Sequence, residues 1–310
     1  MKTHMLHLAL IGLLFALGFV LPDYHQGNFS RIMVLAIYAM GYNVMFGYTG
    51  MLSLGHAMFF AAGMYGFGLS VQLGGMGVIP ALVLALVGTA GFAALVGALS
   101  LRTIGVGFMI VTLMFAQAVY LTILYFGKYT RGDEGFVLQP YMRQVAGFAL
   151  NQPDIRYFTA LALFALVLLG TGLLVRSNFG SVLVAVRENE ERTRMLGYDV
   201  MAHKIGAVVI SGVISGLAGA TYAALFGYVG ASFATVQYSI FPLLYVLLGG
   251  MGTTLGPFIG ALLMFYLIDY SSGLTTAYML IVGVALVLLV LFARAGIAGE
   301  IRKRWVPWLP

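Results

Sequence analysis

Hydrophobic positions in this chain fall into long runs separated by short polar or glycine-rich punctuation. Uninterrupted runs cover residues 5–21, 32–48, 57–76, 78–100, 104–126, 158–175 and 205–229. A helix crossing the hydrocarbon core of a bilayer needs about 20 apolar residues, so each run predicts one span. The first run follows Lys2 and has the length of a signal peptide. No small-residue cleavage pattern follows it, and it is read as a retained span. Residues 232–270 are too long for one crossing. Gly249, Gly250, Gly252 and the pair Gly256-Pro257 interrupt them, and both residue types disfavour a helix interior. The stretch therefore divides into 232–248 and 255–270, and a last run covers 276–293.

Composition narrows the class. Of 310 residues, 61% are hydrophobic and 8% charged, against about 25% charged in soluble proteins. A soluble domain cannot cover itself with so few polar groups, which excludes soluble enzymes, nucleic-acid binders and disordered chains. Cysteine is absent, so there is no disulfide, thiolate metal site or cysteine nucleophile. Basic residues concentrate in the connector 176–204 (Arg176, Arg187, Arg192, Arg194, Lys204) and in the tail 294–310 (Arg294, Arg302, Lys303, Arg304). The positive-inside bias places both in the cytoplasm. That requires an even number of spans after the connector, which the split at Gly249–Gly256 supplies. The expected fold is an all-α polytopic membrane protein of about ten transmembrane helices. Both termini lie inside, the helices break at glycine-rich segments, and loop 127–157 lies outside. Residues 1–310 form a single transmembrane domain.

Ionisable residues are missing where an ion-driven pump needs them. The second to eighth runs contain no Asp, Glu, Lys or Arg, and Asp269 lies near the outer end of the ninth. Asn43 and Gln117 are amides within runs, and His56 reads as a member of a buried network before a proton relay. No phosphate-binding loop is present; the single Gly-Lys pair, Gly127-Lys128, continues with Tyr129. Energy for uphill movement then comes from another subunit. Within the connector, Glu188→Arg192 and Glu190→Arg194 have the favourable i,i+4 order, and Gly197 is a helix stop. The pattern describes a short amphipathic helix, either a solvated link or a docking element. Gly212, Gly216 and Gly219 form a small-residue ridge for close helix packing. The glycine-rich breaks 47–55 and 249–256 are candidate path elements, because irregular backbone at membrane depth survives only when buried or lining a cavity.

Three blocks carry a family resemblance: residues 42–60 around Gly47-Tyr48-Thr49-Gly50-Met51-Leu52-Ser53-Leu54-Gly55-His56, residues 187–222, and residues 247–257. Together they resemble the inner-membrane permease subunits of bacterial branched-chain amino-acid ABC importers, of the LivM type. The resemblance implies a multi-pass subunit of the cytoplasmic membrane and no enzymatic activity on this chain. It implies four partners: a homologous second permease, two cytoplasmic ATPases that hold ATP and Mg²⁺, and a periplasmic binding protein. Arg187, Glu188, Glu190, Glu191, Arg192, Arg194, Leu196 and Gly197 then form the ATPase-docking helix. Glu191 stands at the acidic position of the docking motif, with Arg192 and Thr193 where alanines are usual. The translocation path is expected at Asn43, Thr49, Gly50, Ser53, Gly55, His56, Gly249, Gly250, Gly252 and Gly256. His56 either donates to a substrate carboxylate or satisfies a broken-helix carbonyl. Similar permeases carry urea or short amides, and a gradient-driven carrier or channel acting alone is the reading from another class.

Overall fold

The structure is a computed structural model that describes residues 2–145, 147–275, 277, 280, 283–284, 287 and 296–304. The expected tenth run, 276–293, and the tail beyond Arg304 lie largely outside the described residues. The apolar runs fold as α1 (Lys2–Leu17), α2 (Asp23–Asn43), α3 (Ala57–Gln72), α4 (Val78–Ser100) and α5 (Val106–Tyr125). A short turn, α6 (Gly127–Thr130), opens the long loop, and α7 (Pro153–Arg176) closes it. The connector forms α8 (Asn178–Glu188) and α9 (Glu190–Met195). Then come α10 (Val200–Phe226), α11 (Val236–Gly249), α12 (Gly256–Leu274) and α13 (Gly296–Arg304). Among the described residues, five helical segments are by themselves long and apolar enough to cross a membrane.

Polarity decides which helices sit in the middle. Lipid is as apolar as leucine, so hydrophobicity does not pull helices together in a bilayer, whereas small and polar residues do. The α2 segment carries Gln26, Asn28, Ser30 and Asn43, and α10 carries Ser211, Ser215 and Thr221, all buried. Accordingly 78% of the apolar window of α2 and 67% of that of α10 is buried, against 28% for α4 and 22% for α5. The outer helices present Leu84, Val87, Leu95, Ile110, Met114 and Leu121 outward, as lipid requires. The glycine ridge of α10 makes the central contact. Gly212 meets Ala93, Gly216 meets Thr89, and a Cβ on Gly219 would stand 1.9 Å from the Phe60 carbonyl oxygen of α3.

Several boundaries differ from the sequence reading. The second helix begins at Asp23 rather than residue 32, because Gln26, Asn28 and Ser30 are buried against the rest of the bundle and need no apolar run. The seventh span stops at Phe226, where Gly227 turns to φ 76°. Tyr228 and Val229 leave the helix and pair antiparallel with Val137 and Phe136 of the long loop. Residues 231–234 form a 3₁₀ turn before α11. The connector is not one helix but two, broken at Asn189, whose backbone is extended (φ −159°, ψ 103°).

The two ends of the bundle are distinct. At one, the long loop folds over the end of α10: Arg143 is buried and donates to the carbonyl oxygens of Ala224 and Leu225, at 3.3 and 3.1 Å. At the other, both glycine-rich breaks, the connector and the start of α13 meet. Gly296 sits against the backbone of Gly250.

Candidate functional site

The first break begins as α2 widens into a π turn, Val44–Tyr48, whose looser ladder is closed by the Thr49 hydroxyl donating to the Val44 carbonyl at 3.0 Å. The chain reverses at Gly50, φ 77°, and runs back into the bundle as an irregular segment. Its polar backbone groups are served by side chains from other helices. Leu54 N–H donates to Thr112 Oγ1 at 3.3 Å, the Tyr42 hydroxyl donates to the Ser53 carbonyl at 3.0 Å, and Ala57 N–H, the first of α3, donates to Ser239 Oγ at 2.9 Å. Each unsatisfied group at this depth costs several kcal/mol, so these contacts are the condition for the break.

The second break is bound to the first. Asn43 Nδ2 donates to the Thr253 carbonyl at 2.9 Å, and Gly252 N–H donates to Asn43 Oδ1 at 3.0 Å. One amide beside the first break thus holds two residues of the second, 209 and 210 positions further along the chain. Thr253 Oγ1 donates to the Gly250 carbonyl and accepts from Gly256 N–H, which turns the chain between α11 and α12. His7 of α1 reaches the Thr254 hydroxyl at 2.9 Å. Gly249 lies so close to Gly256 that a Cβ there would stand 1.8 Å from the Gly256 carbonyl oxygen.

The connector plugs into this junction. The Arg187 guanidinium donates to the Gly47 carbonyl and lies against Gly252. Around it opens a cavity of about 500 Å³ at the connector end, bounded by Thr49, Gly50, the turn between α4 and α5, Glu190 and Lys204. Glu190 pairs with both Lys204 and, at 3.2 Å, Arg194, which ties α9 to the first turn of α10. The i,i+4 pair Glu190–Arg194 therefore forms. The pair Glu188–Arg192 does not, because the helix breaks between them. Asn189 instead caps α9 by accepting from Arg192 N–H at 2.9 Å. The apolar face of α8 finds its own cover: Val182 and Val186 pack with Val200. The tip that follows leaves Met195, Leu196, Tyr198 and Met201 exposed.

Above the junction lies an aromatic column. His56 is fully buried, and its Nε2 is 2.7 Å from the Ser215 hydroxyl of α10. Neither a helix carbonyl nor a cavity takes it. Tyr38 stacks over it with ring centroids 5.7 Å apart, and Tyr238 of α11 stacks on Tyr38 at 5.8 Å. Among the path candidates, Thr49 and Gly50 border the connector-end cavity, whereas Asn43, Ser53, Gly55, His56, Gly249, Gly252 and Gly256 make the clamp and its packing. Tyr38 and Ser239, which complete this core, escape sequence reasoning. An aromatic or a serine inside an apolar run looks the same whether it faces lipid or a neighbour.

Apolar outer helices around a polar core, with two broken helices clamped at one end, define a multi-pass membrane permease. The chain belongs to the family described as branched-chain amino acid transport system / permease component, whose model matches residues 27–292. It is 30% identical over 290 residues to the high-affinity branched-chain amino acid transport system permease protein LivM of Salmonella typhimurium. That match covers 86% of this chain and 68% of the relative. The LivM protein of Escherichia coli matches equally, at 30% over 289 residues. A probable branched-chain amino acid transport permease LivM of Methanocaldococcus jannaschii is 33% identical over 128 residues, 37% of each chain. No solved structure matches the chain.

Proposed function

We propose that this chain is one of two permease subunits of an ABC importer for branched-chain amino acids in the bacterial inner membrane. A homologous permease completes the path. A periplasmic protein delivers substrate at the long-loop end, and two ATPases bind at the connector end, where ATP and Mg²⁺ are held and hydrolysed. Residues 1–310 act as one permease domain, with segment 176–204 and the tail 294–310 in the cytoplasm and loop 127–157 in the periplasm.

The observation that carries this reading is the joint at Arg187. The connector that offers Met195, Leu196, Tyr198 and Met201 to a partner is the same one whose Arg187 holds the first break and touches the second. A push on α9 reaches Arg187 across the single extended residue Asn189, and from Arg187 it meets both broken helices. An exposed apolar tip rimmed by Glu191, Arg192 and Arg194 has the composition of a docking patch.

The test is uptake by proteoliposomes carrying the assembled complex. Wild type should import leucine only with ATP and the binding protein. Glu191→Arg should leave membrane insertion intact and lower uptake per ATP hydrolysed at least tenfold. Substrate flux through the chain reconstituted without ATPases would overturn the importer reading, and normal coupling in Glu191→Arg would overturn the docking assignment.

A further inference from the structure

A second cavity, of about 340 Å³, opens between α2, α10, α11 and α12 near the long-loop end. Its size lies at the low end of small-molecule sites, about 300–1,000 Å³. Its wall is aromatic: Phe233, Tyr238, Phe241 and Phe265 all face it. Two opposite charges line the same space, Arg31 from α2 and Asp269 from α12. Arg31 is eight residues into its helix, about 12 Å from its start, and Asp269 is five residues from the end of α12, about 7.5 Å.

Both residues are exposed as well as lining the cavity, and charged groups that face a cavity within membrane helices mark ligand paths. Neither charge is neutralised by the other. No ion pair joins Arg31 to Asp269. Arg31 instead lies over the Phe226 ring, 5.3 Å from its centroid, with Arg156 on the same ring at 5.5 Å. Asp269 accepts one long hydrogen bond, from the Tyr24 hydroxyl at 3.3 Å. The floor of the cavity is Tyr238, stacked on the buried Tyr38 that covers His56.

We propose that this cavity binds a zwitterionic α-amino acid with an apolar side chain. Arg31 takes the carboxylate, Asp269 takes the ammonium, and the aromatic wall takes the side chain. A guanidinium fork matches a carboxylate, and a carboxylate matches an ammonium. Held apart, the two charges leave a place for a ligand that carries both. The site rests on the amino-acid importer reading and deepens it. It gives the permease its own check on the head group, independent of the binding protein, and the Tyr238–Tyr38 stack closes the route onward.

The experiment uses the complex in nanodiscs without its binding protein, titrated by saturation-transfer NMR, which detects weak ligands. The probes are leucine, leucinamide (no carboxylate) and 4-methylpentanoate (no ammonium). Wild type should bind leucine at least tenfold better than either analogue. Arg31→Gln should weaken leucine at least tenfold and bind leucinamide equally well. Asp269→Asn should do the same with 4-methylpentanoate. Equal binding of the three probes by wild type, or unchanged leucine binding in both variants, overturns the site. ATP-driven leucine uptake with the binding protein, measured in parallel, separates the two readings. Uptake with unaltered binding in the variants sinks the site alone. If wild type takes up no amino acid at all, the transport reading falls, and the site falls with it.

Discussion

Asn43 shows how much one side chain can hold in a membrane protein. Its amide, at the edge of the first break, spends a donor on Thr253 and an acceptor on Gly252 of the second. Replacing it with alanine leaves a buried carbonyl and a buried N–H unpaired, each costing about 1–3 kcal/mol. Asn43→Ala should therefore lower the melting temperature of the purified chain by several degrees in a thermal-unfolding assay. Arg187→Ala should barely change melting, since its bond is partly solvated, yet should cut ATP-driven uptake. The comparison separates holding the breaks together from moving them. That Asn43 matters was legible in the sequence, as an amide within an apolar run. That its partners are Gly252 and Thr253 was not, because no local pattern connects residues more than 200 positions apart.

At the scale of elements, the glycine ridge of α10 and the split connector make opposite points. The ridge was legible as spacing, and α10 uses it against α3 and α4 inside one chain rather than against a second subunit. Gly219→Val should prevent folding, since its Cβ would overlap the Phe60 carbonyl, while Gly88→Ala meets open space on α4 and should behave as wild type. Size-exclusion profiles of the two variants in detergent decide it. The connector read as one helix because its i,i+4 charges fit one. Asn189 breaks it instead, since an asparagine that caps the following N–H stabilises the second helix start by about 1 kcal/mol. Asn189→Ala should loosen α9 and raise its amide hydrogen exchange, leaving that of α10 unchanged.

For the whole molecule, orientation follows from which features share an end. The connector, both breaks and Gly296 gather at one end, and the loop, the start of α2 and the end of α12 at the other. The chain is free of cysteine, so single introduced cysteines report sidedness cleanly. Leu196→Cys should react with a membrane-impermeant maleimide only from the cytoplasmic face, and Tyr141→Cys only from the outer face. Labelling of both from one side would overturn the topology. Each position is exposed in the structure, at 71% and 69%.

By itself the sequence determined the class, the approximate spans and the two breaks. These depend on hydrophobic length, charge placement and glycine, which are local properties of the chain. Only the tertiary structure decided what the polar exceptions do. Arg31 stands outside the apolar run 32–48, yet it lies within a helix and lines a cavity. His56 read as a member of a buried network with its partners unnamed, and its neighbours are the Tyr38 ring and the Ser215 hydroxyl. In a bilayer a polar residue is tolerated only beside a partner, and the partner is chosen by the packing of helices distant in sequence.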